Sequence, residues 1–174
     1  MFLDIIRVSG INEALTGLAL NKLQPVENME EVANKLCKAN AGSHKKFLRM
    51  IQIWIKIQAP MYWWYEYDTY KVGVTRQSSS IMHKPLEHIK FSKYTLPEVI
   101  EAYKALLSKE GVTIQEIKAN TPAGVMYESV VNLNYQVLQT IYKDRHNHRL
   151  EEWRYFCKRL EILSHFHWIK GERL

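Results

Sequence analysis

The sequence predicts one domain in which strands and helices are mixed, and three observations carry that prediction. Ile51, Ile53, Ile55 and Ile57 alternate strictly with Gln52, Trp54 and Lys56, the period of a strand with one buried face. Met29, Val32, Ala33, Leu36 and Cys37 recur instead at helical spacing. At 174 residues and 47% hydrophobic, the chain can fill one core but not two, and no repeat, low-complexity linker or compositional boundary divides residues 1–174.

Taken in order, Phe2, Leu3, Ile5, Ile6 and Val8 predict an opening strand that Ser9-Gly10 ends. A short helix over residues 12–21 follows, Pro25 separates it from a second over 28–39, and Gly42 stops that one. The isoleucine strand over 51–57 ends at Ala59-Pro60. Residues 61–70 read as a helix whose Trp and Tyr content exceeds the needs of its own core, so packing on a second subunit is expected. Thr95 with Glu98 predicts a capping box and Gly111 the end of the helix it starts, with a short turn over 113–118. After Thr121-Pro122, a long helix is predicted over 127–144, with Val131, Tyr135, Leu138 and Tyr142 on one face and Asn132, Gln136, Gln139 and Lys143 on another. A last helix spans 150–163.

Lys and Arg number 24 against 18 Asp and Glu, a net charge of +6 that favours anionic partners such as nucleotides or phosphates. No dense basic block accompanies it, so nucleic acid is not the expected partner. Cys37 and Cys157 are the only cysteines and belong to no C-x-x-C, which predicts free thiols. Asp4 and Arg7 interrupt the apolar run of MFLDIIRVSG, arguing against a signal peptide or membrane span and for a cytoplasmic setting. His146-x-His148 and His165-x-His167 lack a third ligand at a diagnostic spacing, so no metal site is predicted. Ser78, Ser79 and Ser80 lack the G-x-S-x-G elbow, and neither G-x-G-x-x-G nor a P-loop occurs.

Three polar groupings remain. In YDTYKVGVTRQSSSIMHK, Gly73 permits close backbone approach, Thr75 and Ser78 to Ser80 offer hydroxyls, and Lys71, Arg76 and Lys84 offer charge. That suits a phosphate-binding loop, and equally a polar surface loop. The stripe Asn132, Gln136, Gln139, Lys143 suits a pyrimidine edge and a phosphate, or a solvated face. Arg145, His148, Arg149 and Glu152 share one face if the helix persists, as a phosphate clamp or a salt-bridged helix end.

The segment IQIWIKIQAPMYWWYEYDTYKVGVTRQSSS resembles the strand, Ala-Pro turn, aromatic helix and signature loop of the flavin-dependent thymidylate synthases. The family's loop reads R-H-R, seven residues, then S. Thr69-Tyr70-Lys71 fall at the R-H-R and Ser79 at the serine, while Val74, Arg76, Ile81 and Met82 replace its serine, asparagine, arginine and tyrosine. Met50 falls at the flavin-contacting histidine, with His44 nearby. A second segment, NLNYQVLQTIYKDRHNHRLEEW, resembles the family's N-x-R helix. It keeps Asn132 and Glu151, has Asn134 in place of an arginine and Lys143 at the nucleotide-binding arginine, and replaces Ala-Gln by His148-Arg149.

The resemblance implies an α+β fold, helices packed around a curved antiparallel sheet, assembled as a homotetramer with sites between subunits. It implies nucleotide binding by Lys71, Ser79, Asn132, Lys143 and Arg145, and cofactor contacts from His44, Arg76, Ser78, Gln136 and Arg149. The chemistry implied is transfer of a one-carbon unit by FAD from methylenetetrahydrofolate to a pyrimidine such as dUMP, with NAD(P)H as reductant. A catalytically inactive descendant that keeps the nucleotide pocket or the oligomeric scaffold is the alternative. Residues 71–80 and 132–143 are expected to converge on one pocket.

Overall fold

In the computed structural model, which describes residues 1–80 and 88–171, the isoleucine alternation builds the centre of the molecule. Strand β2 (Gln52–Pro60) is flanked by β1 (Phe2–Ser9) and β4 (Met126–Asn134), and β3 (Val74–Ser78) pairs with the far side of β4. The order β1-β2-β4-β3 is antiparallel throughout. Ile53 lies opposite Leu133, Ile55 opposite Val131 and Ile57 opposite Leu3, so each buried row crosses the sheet. Every one of these side chains is at most 1% exposed, each burial contributing about 1.5–3 kcal/mol. An irregularity between Ile5 and Arg7 lets Val8 stay beside Ile53 while Arg7 turns outward, its guanidinium 5.9 Å from the Trp54 ring.

Around the sheet lie α1 (Ile11–Lys22), α2 (Met29–Leu36), α3 (Lys46–Met50), α4 (Met61–Tyr67), α5 (Pro97–Leu107), α6 (Ile114–Asn120), α7 (Tyr135–Arg145), α8 (Glu151–Leu160) and α9 (Phe166–Lys170). This is the α+β arrangement of helices around an antiparallel sheet that the resemblance implies. No helix among the described residues is long and apolar enough to cross a membrane.

Four expectations are corrected. Residues 127–144 are not one helix: the first half is β4, because Ser129, Val131 and Leu133 can be buried at period two only between β2 and β3. Asn134 then caps α7, its Oδ1 accepting from Val137 N at 3.1 Å. The capping box is not at Thr95 and Glu98; α5 starts on Pro97 without a side-chain cap and ends at Leu107, and Gly111 (φ +72°) lies in the turn beyond. The box forms instead at Thr113 and Glu116, where Glu116 N donates to Thr113 Oγ1 (3.2 Å) and Thr113 N to Glu116 Oε2 (2.8 Å), so residues 113–118 start a helix rather than a turn.

The aromatic run packs largely inside the chain. Trp63, Trp64, Tyr67 and Tyr70 are buried within this chain, Trp63 lying 4.7 Å from Trp153 and 5.8 Å from Phe156 between ring centroids. Much of this aromatic surface packs on α8, and Tyr65 is the ring of the helix left largely exposed. Finally, the polar loop beyond Tyr67 is partly a strand, β3, and its Ile81, Met82 and Lys84 lie outside the described residues.

Candidate functional site

Where β4 runs into α7, the backbone turns sharply: Tyr135 N donates to Ile51 O at 3.1 Å and Asn134 caps the next turn. The first turn of α7 therefore faces a cavity of about 410 Å³ lined by Arg49, Val72, Gly73, Asn134, Gln136, Val137 and Thr140. Gly73 enters it at φ +79°, a left-handed conformation that a side chain would strain, with Asn134 Nδ2 and Val137 Cγ2 only 3.4 Å from where a Cβ would sit.

Arg49, at the end of α3, donates from Nε to Gln136 Oε1 at 2.6 Å and has no carboxylate partner among the described residues. Lys45 donates from Nζ to Gln139 Oε1, also at 2.6 Å, while Gln139 Nε2 is anchored on the carbonyls of Cys37 and Trp168, each at 2.8 Å. Two glutamines of α7 thus fix two cations without neutralising them. The positive end of the α7 dipole points the same way, so the cavity is arranged for an anion.

The sequence-predicted residues divide around this cavity. Gln136 lines it, and Lys71 precedes Val72 and Gly73 in the chain, so the signature loop and the start of α7 do meet. Asn132 does not join them: it stands on β4 opposite Trp54 and Thr75 and donates from Nδ2 to Ile53 O at 3.2 Å. Lys143 is exposed two turns further along α7, about 10 Å from Gln136 by helical rise, with no hydrogen bond or ion pair of its side chain among the described residues.

Ser78 and Ser79 are held against β4, Ser78 Oγ accepting from Ser129 Oγ at 2.8 Å and Ser79 N donating to Glu128 O at 2.8 Å. Ser78 and Arg76 line a second cavity of about 230 Å³ with Trp64, Tyr65 and Tyr127, where Arg76 is paired with Asp68 (3.0 Å) and lies 5.0 Å from the Trp64 ring. His44 borders a third, of about 380 Å³, floored by Leu18, Leu36, Phe47 and Met50 and edged by Lys22 and Lys46.

Arg145 realises the salt-bridged helix end. Helix α7 stops at this residue, and its guanidinium donates to Glu66 Oε2 (3.0 Å) and Tyr70 Oη (2.9 Å), with His148 Nε2 2.8 Å from Nη1 and the Trp153 ring at 4.9 Å. Trp153 Nε1 donates to the same Glu66 oxygen at 2.8 Å, and Tyr70 Oη to Asp144 Oδ2 at 3.2 Å. Burial pushes the Tyr70 phenol up, with Arg145 opposing. Arg149 does not continue the face of Arg145; it is exposed beside a cavity at the start of α8.

Arg49 and Lys45 were not singled out by the sequence reading. The usable sign was negative: residues 32–65 contain no Asp or Glu but six Lys or Arg.

No family model matches the chain, and no curated protein does. Among solved structures, the flavin-dependent thymidylate synthase ThyX from Helicobacter pylori, complexed with FAD and dUMP, is similar with a TM-score of 0.79 at 14% identity, over 97% of this chain and 96% of that one. A second structure of Helicobacter pylori ThyX with FAD and dUMP agrees in all four values. At this identity the likeness establishes the fold: the chain is built, along nearly its whole length, like a flavin-dependent thymidylate synthase.

Proposed function

We propose that this chain is a divergent flavin-dependent thymidylate synthase-like protein that binds a pyrimidine deoxynucleotide of the dUMP type. The observation that carries the reading is whole-chain likeness of fold to a protein solved with FAD and dUMP. The cavity at the start of α7 supports it, since Arg49 and a helix N-terminus converge there without a carboxylate among the lining residues.

The same donor set fits the phosphates of FAD, and the neighbouring cavity beside His44 adds an apolar floor with a basic edge. When bound, FAD would mediate transfer of a one-carbon unit from methylenetetrahydrofolate to the pyrimidine, with NAD(P)H as the reductant of the flavin. This chain's residues would bind and orient: Arg49 and Lys71 holding phosphate, Gln136 fixing Arg49. Ser79, Asn132 and Lys143 stand apart from this cavity, and we assign them to a site completed by another copy in a homotetramer.

A specific observation favours a second reading, an inactive descendant that keeps the pocket. The side chains at the signature's lost arginine and histidine are Thr69 and Tyr70, and Tyr70 is occupied within its own chain by Asp144 and Arg145. Calorimetry with dUMP, with and without FAD, separates the readings. Binding of both ligands supports retained chemistry, dUMP alone a repurposed pocket, and neither, by folded protein, a scaffold. A yellow absorbance spectrum of the purified protein would report bound flavin. Complementation of thymidine-requiring cells is expected to fail.

A further inference from the structure

Helix α8 opens on two glutamates in very different surroundings. Glu151 is largely exposed and pairs with Lys93 Nζ at 2.7 Å. Glu152 is 6% exposed, and its one hydrogen bond among the described residues comes from Tyr62 Oη, 2.5 Å from Oε1. Tyr62 Oη lies in turn 3.2 Å from Ser92 Oγ. The second carboxylate oxygen accepts nothing from a described residue, and it is not among the sealed, unpartnered atoms, so it opens onto a cavity.

That cavity measures about 540 Å³, and Glu152 also borders a smaller one of about 200 Å³ on the side of Ser92 and Lys93. A carboxylate removed from water with one neutral donor is costly unless a cation completes it. None of the nearby cations among the described residues does so. Lys93 is engaged by Glu151, with Tyr94 at 4.9 Å from its Nζ, and Arg154 donates to the carbonyls of His148 (2.6 Å) and Arg149 (2.8 Å). Arg145 is taken by Glu66. Burial and the bond to Glu152 push the Tyr62 phenol up to about 12, so it stays a donor at neutral pH and cannot supply positive charge.

The surroundings suit an organic cation better than a metal. No group of three His, Cys, Asp or Glu side chains suited to a metal occurs among the described residues, whereas the phenol rings of Tyr62 and Tyr94 line the cavity and suit an ammonium group. Arg149, also lining it, has no hydrogen bond or ion pair of its own side chain among the described residues. We infer that the cavity at the start of α8 binds a small organic molecule through an ammonium group held on Glu152, with Arg149 placed to receive an anionic group of the same ligand. The site is separate from the α7 cavity and does not rest on the nucleotide reading.

The test is titration of the isotope-labelled protein, followed by amide chemical shifts, with butylamine, 4-aminobutyrate and butyrate as probes. The two amines are expected to bind in the roughly millimolar range of small fragments, moving Tyr62, Tyr94 and Glu152, while butyrate alone leaves these unmoved. Glu152→Gln should weaken amine binding about tenfold or more. Arg149→Ala should weaken 4-aminobutyrate and leave butylamine unchanged. Tyr62→Phe, which frees the carboxylate from its phenol, should keep or tighten amine binding and decides the matter if Glu152→Gln does not fold. Absence of amine-dependent shifts at these residues, undiminished binding by folded Glu152→Gln, or loss of binding in folded Tyr62→Phe would overturn the inference.

Discussion

Replacing Arg145 with alanine asks whether a guanidinium at the end of α7 serves the fold or a ligand. Its side chain is 17% exposed, bonded to Glu66 at 3.0 Å and Tyr70 at 2.9 Å, and packed on Trp153. Breaking a fully buried pair costs about 3–5 kcal/mol, but Glu66 is 36% exposed and keeps the Trp153 donor, so water recovers part of that. With a cation–π contribution of about 0.5–1 kcal/mol added, the expected loss is roughly 2–3 kcal/mol. For a chain of this size that lowers Tm by about 4–12 °C. Urea denaturation gives the stability change, and calorimetry with dUMP on the same variant gives the ligand effect. A cycle with Glu66→Gln should return a coupling of about 1–2 kcal/mol. Unchanged stability together with a tenfold or greater loss of dUMP affinity would refute the structural role and restore Arg145 as a phosphate clamp.

Other outcomes follow from the same geometry. Arg49→Ala should leave folding intact, since its hydrogen-bond partner Gln136 is neutral, and weaken dUMP binding about ten- to a hundredfold by calorimetry. Lys143→Ala should weaken dUMP binding in an assembled protein, and light scattering on the same sample shows whether copies associate. Gly10→Ala should destabilise by about 2–3 kcal/mol in urea, because Gly10 sits at φ +96° and an added Cβ would collide with the Met50 carbonyl. Tyr62 is raised from 10.0 to about 12, chiefly by burial, and burial raises Tyr67 and Tyr135 as well. A folded pKa above the unfolded one means stability is full below pH 10 and is lost as pH rises through about 12. The urea midpoint should therefore fall across that window, and less steeply in Tyr62→Phe.

Strand β2 was legible because four isoleucines at period two leave no helical alternative. β4 was not, because Val131, Tyr135 and Leu138 fit a helix while Ser129, Val131 and Leu133 fit a strand, and the choice is made by pairing with β2 and β3, which local pattern does not contain. That one misreading joined Asn132 to Gln136 and Lys143 in a stripe that the fold divides between a sheet face and a helix. The aromatic excess of residues 61–70 was legible, but not its destination, since Trp153 and Phe156 lie about ninety residues downstream. Arg49 was invisible for a related reason: Gln136, which holds it, is 87 positions away and carries no charge.

The same distinction reorders the basic residues. A cation already paired must give up its carboxylate before it can hold a phosphate, and that loss offsets most of what the ligand returns. Arg76 is paired with Asp68, Arg145 with Glu66, Lys56 with Glu128 and Lys93 with Glu151. Arg49, Lys71, Lys143 and Arg149 have no ion pair of their own among the described residues. These four are among the cations left available to a ligand, and two of them, Arg49 and Lys71, lie beside the start of α7. Charge read along the sequence counts all eight alike. Only the pairing, set by contacts across the fold, separates the cations that hold the protein together from those left to hold something else.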